Sequence, residues 1–330
     1  MASVLDWIGE QHGSSRSAAS AVARAEAYLA SRQAPDGHWR DYWLLHGQSE
    51  DWVTACCGLA LAQPPRQGAC GRAVEAAARA LRRAARPGGW GYHRDSVPDA
   101  DSSAWAVRFL ATAGWLRKDP YTTFLQQYLD ERGRAHTFLP SELAGRWGDA
   151  HADVTPVVGL ALLTAAVDST IVRRIRGGVI EGMDPQGFWP SYWWTTDTYA
   201  TARSLEFLAL SGGVPEAVLA RTPVWLASQT VTDPPFVVAQ GLTVATLIGF
   251  DTEGWLDALL ELQKSDGSWP PSSVLLVPDK EGGAAQGAAH ADEERMLGTA
   301  MAIMAVKTWL RQMYRTAQGA AHRAPDSLRP

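Results

Sequence analysis

The sequence is poor in the features that mark disulfide-rich, nucleic-acid-binding or membrane-spanning proteins. Its 330 residues hold three cysteines, Cys56, Cys57 and Cys70, whose spacing suits neither a metal site nor a disulfide framework. The net charge is −5 and no dense basic run occurs, so we expect no nucleic-acid partner. The longest apolar run, residues 154–167, is too short to cross a bilayer, so we expect no transmembrane segment.

The amino terminus lacks a basic segment followed by an apolar core, so it does not resemble a signal peptide. Together with the scarcity of cysteine, this predicts a cytoplasmic protein in a reducing compartment. The abundance of alanine, arginine and glycine is typical of a high-GC bacterial gene. The composition is otherwise that of an ordinary globular protein, with 46% hydrophobic and 20% charged residues.

One seven-residue phrase occurs twice in the chain, as QAPDGHW at residues 33–39 and as QKSDGSW at residues 263–269. In both copies a Gln ends an apolar helical stretch, Asp-Gly makes a turn, and a Trp follows six residues after the Gln. Degenerate versions lie between them, PGGW at residues 87–90 and DPQGFW at residues 184–189. The phrase therefore identifies a repeat protein.

Two kinds of helix alternate along the repeats. The first of each pair mixes charged and apolar residues, as in AVEAAARALRRAA, and should have one exposed face. The second is apolar nearly all round, as in TPVVGLALLTAAV, and should be buried on both sides. The predicted first helices are 17–33, 67–86, 120–132, 169–181, 215–229 and 252–264. The predicted second helices are 51–63, 101–115, 153–167, 197–211, 235–249 and 293–309.

Alternating exposed and buried helices stack naturally as an outer ring around an inner ring. An open solenoid would need polar capping repeats at its ends, and the sequence shows none. We therefore predict an all-α fold, a single α6/α6 barrel (toroid) of six helical hairpins over residues 17–316. Residues 1–16 are expected to form an N-terminal extension and residues 317–330 a disordered tail.

The connections from first to second helices are long, and all of them lie at one end of the predicted barrel. They are residues 34–50, 87–100, 133–152, 182–196 and 266–292, and they hold most of the fifteen tryptophans. An acid precedes four of the apolar helices at spacings of 50, 52 and 44 residues: Asp51, Asp101, Asp153 and Asp197. The connections at the opposite end are short and hold no comparable set of aromatic and acidic residues, so we predict function at the aromatic, acidic rim.

The Gln-x-x-Asp-Gly-x-Trp phrase on helical hairpins resembles the QW repeat of squalene–hopene cyclases, oxidosqualene cyclases and related class II terpene cyclases. The resemblance covers residues 17–310 as architecture, and protein prenyltransferase β-subunits share the α/α toroid. It implies a cyclase of the isomerase or lyase type in bacterial natural-product biosynthesis. It also implies a small hydrophobic substrate of isoprenoid type and no cofactor.

Class II cyclases carry an Asp-x-Asp-Asp motif at the start of an inner helix, and its middle Asp protonates an alkene or epoxide. The matching stretch here is VPDADSSAWAVRFL, residues 97–110. By this match Asp101 would be the general acid and Asp99 its partner. Ser102 stands where the family motif has its third acid.

The same assignment follows from the chemistry of alkene protonation, which needs a strong acid in a dry cavity. A nearby carboxylate and a dry pocket both favour the protonated form of a carboxylic acid at neutral pH. Asp99 and Asp101 are two residues apart, so both could reach one cavity. His93 and Asp95 are close in sequence and could donate a proton to the acid or reload it.

The carbocation that follows protonation needs electron-rich walls without nucleophiles. Each aromatic face stabilises a cation by roughly 0.5–2 kcal/mol. The predicted substrate-binding residues are the aromatic side chains near the inner-helix starts, with one acid: Trp52, Trp105, Tyr42, Trp43, Trp90, Trp193, Trp194, Tyr199 and Asp197.

Structural roles compete with these assignments. An Asp before an apolar helix is first of all an N-cap, worth about 1 kcal/mol, and this interpretation is open for Asp101. It is the favoured interpretation for the other three acids, Asp51, Asp153 and Asp197. The Trp of a QW motif is expected to join an outer to an inner helix. No spacing of His, Cys or acidic residues supports a metal site, and we predict none.

Three functions stay open from the sequence. The first is a class II-like terpene or terpenoid natural-product cyclase that acts through Asp101. The second is the same toroid used for a different acid-assisted cyclisation or for carbohydrate-type cleavage. The third is a non-catalytic binding protein. Class II cyclases usually place the active site between two toroids, so here a second toroid subunit, a homodimer or the long rim loops would have to close the pocket.

Overall fold

A computed structural model of the chain describes residues 13–62, 68–116, 121–139, 145–231, 234–279, 281 and 283–323. This part is mostly helical. Its twelve helices are α1 (Gly13–Arg32), α2 (Asp51–Leu61), α3 (Gly68–Ala84), α4 (Ala100–Ala113), α5 (Tyr121–Gln127), α6 (Thr155–Thr164), α7 (Ser169–Glu181), α8 (Thr198–Leu210), α9 (Glu216–Ala227), α10 (Pro235–Ile248), α11 (Glu253–Glu261) and α12 (Met296–Arg323). None of them is both long and apolar enough to cross a membrane.

The even-numbered helices form an inner layer. Each packs on the next, from α2 to α4 and onward to α12, and α12 packs back on α2, so the contacts run round a closed ring. The odd-numbered helices lie outside, each against at least one inner helix. Every residue of α2 is buried, whereas α3 buries only one face. The two predicted kinds of helix therefore correspond to the inner and outer layers of an α/α toroid.

Apart from the last helix, which extends 14 residues beyond its predicted end at 309, the helix ends differ from the predicted ones by at most five residues. The largest difference inside the chain is α5, which ends at Gln127 because Asp130 already forms the next turn and accepts backbone N–H bonds from Arg132 and Arg134. The helical part begins at Gly13 and continues to Arg323, beyond both predicted barrel limits. The rest of the predicted extension and tail, residues 1–12 and 324–330, lies outside the described residues.

The all-α prediction omits two small antiparallel sheets in the rim connections. β1 (Asp41–Leu44) pairs with β2 (Gly47–Ser49), and β3 (Ser273–Asp279) pairs with β4 (Gly283–Ala291). These pairings satisfy backbone groups that a long irregular connection against the core would leave unpaired. They are hard to predict from composition, because β4 consists largely of Gly and Ala, which are depleted in strands.

Each QW tryptophan joins an outer helix to the following inner helix. The indole N–H of Trp39 donates to the Leu29 carbonyl of α1 at 2.7 Å, and its backbone N–H donates to Thr54 Oγ1 of α2 at 2.9 Å. The same two bonds recur at the other three motif tryptophans, Trp90, Trp189 and Trp269. All four are at most 1% exposed, which confirms the structural role expected of this residue.

The Gln and Gly of the motif join neighbouring outer helices. Gln33 Nε2 donates to the Gly37 carbonyl of its own turn at 3.0 Å and to the Ala73 carbonyl of α3 at 2.9 Å. Gln263 bonds in the same way to its own turn and to Ala21 of α1, which ties the last outer helix to the first. Gly37 has a φ of 93°, and a Cβ there would lie 2.6 Å from an α3 carbonyl oxygen, so both backbone shape and packing require glycine.

A buried ionic network fills the ring below the rim. Arg108 of α4 and Arg203 of α8 both pair with Glu206, with Arg203 Nη1 lying 2.6 Å from Glu206 Oε2. Arg203 also donates to Gln240 Oε1 of α10 at 3.2 Å, so the network links three inner helices. Burial alone would raise the pKa of Glu206, but the two arginines lower it to about 2. Arg108 lies about two turns along α4, so the network is farther from the rim than the start of that helix.

Replacing Trp39 with Phe should lower the free energy of unfolding by about 1–3 kcal/mol, because the Leu29 carbonyl loses its indole partner inside the core. Urea unfolding would measure the change. Trp43→Phe is the matched control, since Trp43 is 67% exposed, and it should change stability by less than about 0.5 kcal/mol. Equal losses in the two variants would contradict a stabilising role for the indole bond.

Candidate active-site cavity

The rim connections surround a cavity of about 680 Å³ at one end of the ring. Residues 43–46 of the β1–β2 hairpin form one side, and residues 275–277 of β3 form another. Trp147 and Trp193 contribute from the third and fourth connections. The inner helices supply the base of the cavity at the ends where they begin, so side chains near helix starts meet the loop aromatics there.

Aromatic rings dominate the cavity wall. Trp194 lies between Trp52, with ring centroids 6.0 Å apart, and Phe236, with a stacked ring 4.7 Å away. Trp193 is fixed by an indole N–H bond to Thr137 Oγ1 of 3.0 Å and packs edge-on against Trp147 at 5.5 Å. These rings therefore present a rigid, electron-rich surface to whatever occupies the cavity.

Asp99 caps the inner helix α4. Its Oδ1 accepts the Ser102 backbone N–H and its Oδ2 accepts the Ser102 hydroxyl, each at 2.7 Å. The serine that replaces the third acid of the family motif is therefore the direct partner of the first acid. Burial raises the pKa of Asp99 to about 7, although the bonds from Ser102 oppose that rise.

Asp101 lies in the first turn of α4 and lines the cavity. The N-cap interpretation does not hold for it, because Asp99 is the cap. Its Oδ1 is buried and has no hydrogen-bond partner in the residues that the structure describes. Burial, and then the neighbouring Asp99 and Asp153, raise the pKa of Asp101 well above its ordinary value. The cavity thus contains a carboxyl group whose surroundings favour the protonated form.

A third carboxyl group, Asp153, also lines the cavity, just ahead of α6. We expected an N-cap here, but the side chain leaves its own helix uncapped. Its Oδ2 instead accepts the backbone N–H groups of Tyr192 and Trp193, both at 2.8 Å. Sequence reasoning missed this residue as a cavity group, although its position 52 residues after Asp101, ahead of the next inner helix, was the available signal.

Six of the predicted site residues come together in the cavity: Asp99, Asp101, Trp43, Trp52, Trp193 and Trp194. Four predicted aromatics are instead buried at 1% exposure or less outside the lining: Tyr42, Trp90, Trp105 and Tyr199. Two of them support the cavity wall from behind. Tyr199 stacks on Trp194 with ring centroids 4.4 Å apart, and its hydroxyl accepts the Trp105 indole N–H at 3.3 Å. Trp90 is a QW tryptophan and belongs to the helix packing.

The predicted proton relay does not reach the cavity wall. His93 Nδ1 lies 3.6 Å from Asp95 Oδ2, and the Asp95 side chain is 75% exposed. Both residues lie in the long rim connection ahead of α4, and neither belongs to the cavity lining. Asp197 also lies outside the lining and accepts the Ser191 backbone N–H at 2.8 Å. Sequence reasoning also missed the wall formed by β3, whose apolar residues carried no catalytic signal.

Between about pH 4.5 and 6.5, Asp99→Asn should change how stability depends on pH. In this range the raised pKa keeps Asp99 protonated in the folded state, whereas the same group in the unfolded chain has lost its proton. This group therefore lowers the free energy of unfolding by about 1.4 kcal/mol for each unit of rising pH. The amide removes that contribution. Urea unfolding across this range would measure the slope, with exposed Asp257→Asn as the control expected to match wild type. A wild-type slope in Asp99→Asn would exclude a proton retained at this site.

No protein-family model matches the sequence, and a search of curated proteins finds no match. Among solved structures, the type II terpene cyclase MstE from Scytonema is similar over 90% of this chain and 99% of its own, with 22% identity and a TM-score of 0.78. A protein from Actinoplanes is 28% identical over 88% of this chain and 99% of its own, with a TM-score of 0.74.

The ent-copalyl diphosphate synthase from Streptomyces platensis has a TM-score of 0.59 and 16% identity over 78% of this chain, which corresponds to 50% of that longer protein. The resemblance indicated by the QW motifs is therefore confirmed at the level of the fold. Along nearly its whole length, this chain has the α/α-toroid fold seen in type II terpene cyclases.

Proposed function

We propose that the protein is a class II-like cyclase that protonates an alkene or epoxide with Asp101 and cyclises the resulting carbocation. The observation that carries the proposal is the place of Asp101, which lies in the first turn of an inner helix and lines an aromatic cavity. Its buried Oδ1 has no hydrogen-bond partner among the described residues. Burying an unpaired carboxyl group is costly, and groups whose pKa is strongly raised in this way are concentrated at catalytic sites.

The first acid of the motif supports this role for Asp101. Ser102 holds both oxygens of Asp99, so the Asp-to-Ser change in the motif leaves an ordered carboxyl group beside the proposed acid. Negative charge on Asp99 raises the pKa of Asp101. We propose that Asp99 is a positioning residue and that Asp101 alone transfers the proton.

The walls are suited to a carbocation. Trp52, Trp193 and Trp194 line the cavity, and each indole face attracts a cation by roughly 0.5–2 kcal/mol. Apolar residues of β3 cover another side, where a hydrocarbon chain would bury its surface. A cavity of about 680 Å³ lies within the size range of small-molecule sites.

We propose that the ring is an α6/α6 barrel over residues 17–316 and that its rim loops close the pocket without a second toroid. The hairpin of β1 and β2 supports this, because it places Trp43 and Leu45 at the cavity wall. Both side chains are largely exposed, at 67% and 90%. We further propose a cytoplasmic location, which the scarcity of cysteine supports.

A polyprenyl chain is the proposed substrate class. Structures of MstE variants contain geranylgeranyl dihydroxybenzoate as substrate or merosterolic acid A as product. A substrate of this kind, with an isoprenoid chain on a small head group, suits the apolar wall described above.

The two alternatives have less support. Carbohydrate cleavage uses paired carboxyl groups, which this cavity also contains, in a site that binds sugar hydroxyls, whereas more than half of this lining is tryptophan, leucine and valine. The interpretation as a non-catalytic binding protein would be favoured if the protein's own side chains filled the mouth of the barrel. Here the cavity extends to Asp101 instead.

Asp101→Asn should lower cyclisation at least about 100-fold, because the amide cannot donate the initiating proton. The enzyme and the variant would be incubated with geranylgeranyl dihydroxybenzoate, squalene, and geranyl, farnesyl and geranylgeranyl diphosphates, and the products analysed by mass spectrometry. Asp168→Asn is the matched control, since this exposed cap of α7 accepts the Thr170 N–H and an amide oxygen can do the same. Undiminished turnover in Asp101→Asn would exclude the proposed acid.

A further inference from the structure

We propose that Asp153, which lines the same cavity as Asp101, is the base that ends the reaction by accepting the proton lost by the final carbocation. The inference rests on the proposed function and adds a second catalytic residue to it. Protonation alone starts a cyclisation, and a separate group has to receive a proton if the product is to be an alkene.

The geometry of Asp153 leaves one oxygen available. Its Oδ2 is fixed by the backbone N–H groups of Tyr192 and Trp193, while its Oδ1 is buried and has no hydrogen-bond partner within the described part of the chain. The residue is 1% exposed and lines the cavity. A structural link to the 192–193 segment would need only the bonded oxygen, so the second oxygen is unexplained by packing.

The two carboxyl groups lie on neighbouring parts of the ring. Asp101 is in the first turn of α4, Asp153 stands just ahead of α6, and these two inner helices pack on each other. Both residues line one cavity, and in each the buried Oδ1 has no hydrogen-bond partner among the described residues. A bound substrate can therefore meet one carboxyl group at the start of the reaction and the other at its end.

The surroundings of the two groups separate their protonation states. Burial raises the pKa of Asp153 to about 6, a rise that the two backbone N–H donors restrain. Asp101 has no resolved hydrogen bond that would favour its anion, and its pKa is raised well above its ordinary value by burial and by Asp99 and Asp153. At neutral pH this favours an acid at Asp101 and a carboxylate at Asp153, the division expected of a paired acid and base.

Two titratable side chains near Asp153 do not reverse this division. Nearby Asp197 raises the pKa of Asp153, against the stronger effect of the Trp193 and Tyr192 N–H groups. His151 stacks on Tyr192 with ring centroids 3.8 Å apart, and burial lowers the pKa of this imidazole to about 4. His151 is therefore neutral at neutral pH and does not cancel the charge of the carboxylate.

The proposed steps balance in protons and electrons. The Asp101 O–H bond breaks and its proton forms a C–H bond with a substrate alkene, which leaves a carbocation and the Asp101 carboxylate. Further alkene electron pairs close the rings and move the positive charge along the chain. Asp153 Oδ1 then takes a proton from the carbon beside the last cation, and that C–H pair becomes a C=C bond. Return of the proton from Asp153 to Asp101 through solvent restores both groups, so the net reaction is an isomerisation.

The first test measures affinity for a carbocation mimic and needs no turnover. N,N-dimethyldodecylamine carries a positive charge near neutral pH, and tryptophan fluorescence would report its binding to the Trp-lined cavity. Asp153→Asn should weaken binding at least about tenfold, because the anion beside the cation is lost. Dodecanol, an uncharged probe of similar length, should bind wild type and variant equally. Asp168→Asn should match wild type with both probes.

Asparagine suits this test because its amide oxygen can still accept the N–H bonds of residues 192 and 193. Thermal unfolding would establish that the variant is folded. Should Asp153→Asn fail to fold, Asp153→Glu provides the comparison, because it keeps the charge and displaces the oxygen. It should hold amine affinity within about threefold of wild type. Wild-type amine affinity in folded Asp153→Asn, or its loss in Asp153→Glu, would overturn the assignment.

The second test reads the products of any substrate that wild type converts. Asp153→Asn should still consume substrate, since Asp101 is intact, while the fraction of the native alkene falls at least about tenfold in favour of hydroxylated products or alkene isomers. An unchanged product ratio would overturn the assignment and leave the proposed cyclase function standing. If no substrate is converted but amine affinity depends on Asp153, the cyclase proposal fails and the anionic cation site remains.

Discussion

The two hydrogen bonds of the QW tryptophan are the constraint on which the rest of the structure depends. The indole donates to a carbonyl near the end of an outer helix, and the backbone N–H donates to a hydroxyl in the next inner helix, at Trp39 and at three further positions. These bonds fix where each connection turns inward. The Gln of each complete motif donates to a carbonyl of the next outer helix. The same motif therefore sets the packing of outer on inner helices and the packing of neighbouring outer helices.

The position of the chemistry follows from that packing. Because each hairpin turns inward at the same end, the inner helices begin side by side, and acids near their starts meet around one cavity. The network of Arg108, Arg203 and Glu206 lies farther along the inner helices than the helix starts that line the cavity. The long connections line the cavity with tryptophans and with residues of two β-hairpins.

Much of this was predictable because the signals are periodic and local. The alternation of helix types, the turn glycines and the motif tryptophans are each set by residues within about twenty positions, so the toroid and the place of its rim were predicted correctly. The two sheets were not, since β4 gains its strand conformation from pairing with β3 rather than from its Gly and Ala composition. Similarly, Trp105 and Trp193 look alike in sequence, and only packing makes one a buried support and the other a cavity wall.

The sequence by itself determined the repeat, the two classes of helix and the candidate acid pair Asp99 and Asp101. The tertiary structure decided which acids meet. Asp153 has the local signature of an N-cap, yet its carboxyl group bonds to backbone N–H groups some forty residues later and belongs to the cavity lining. Hydrogen-bond partners, burial and pKa depend on groups that come together only when the ring closes, and no local pattern carries that information.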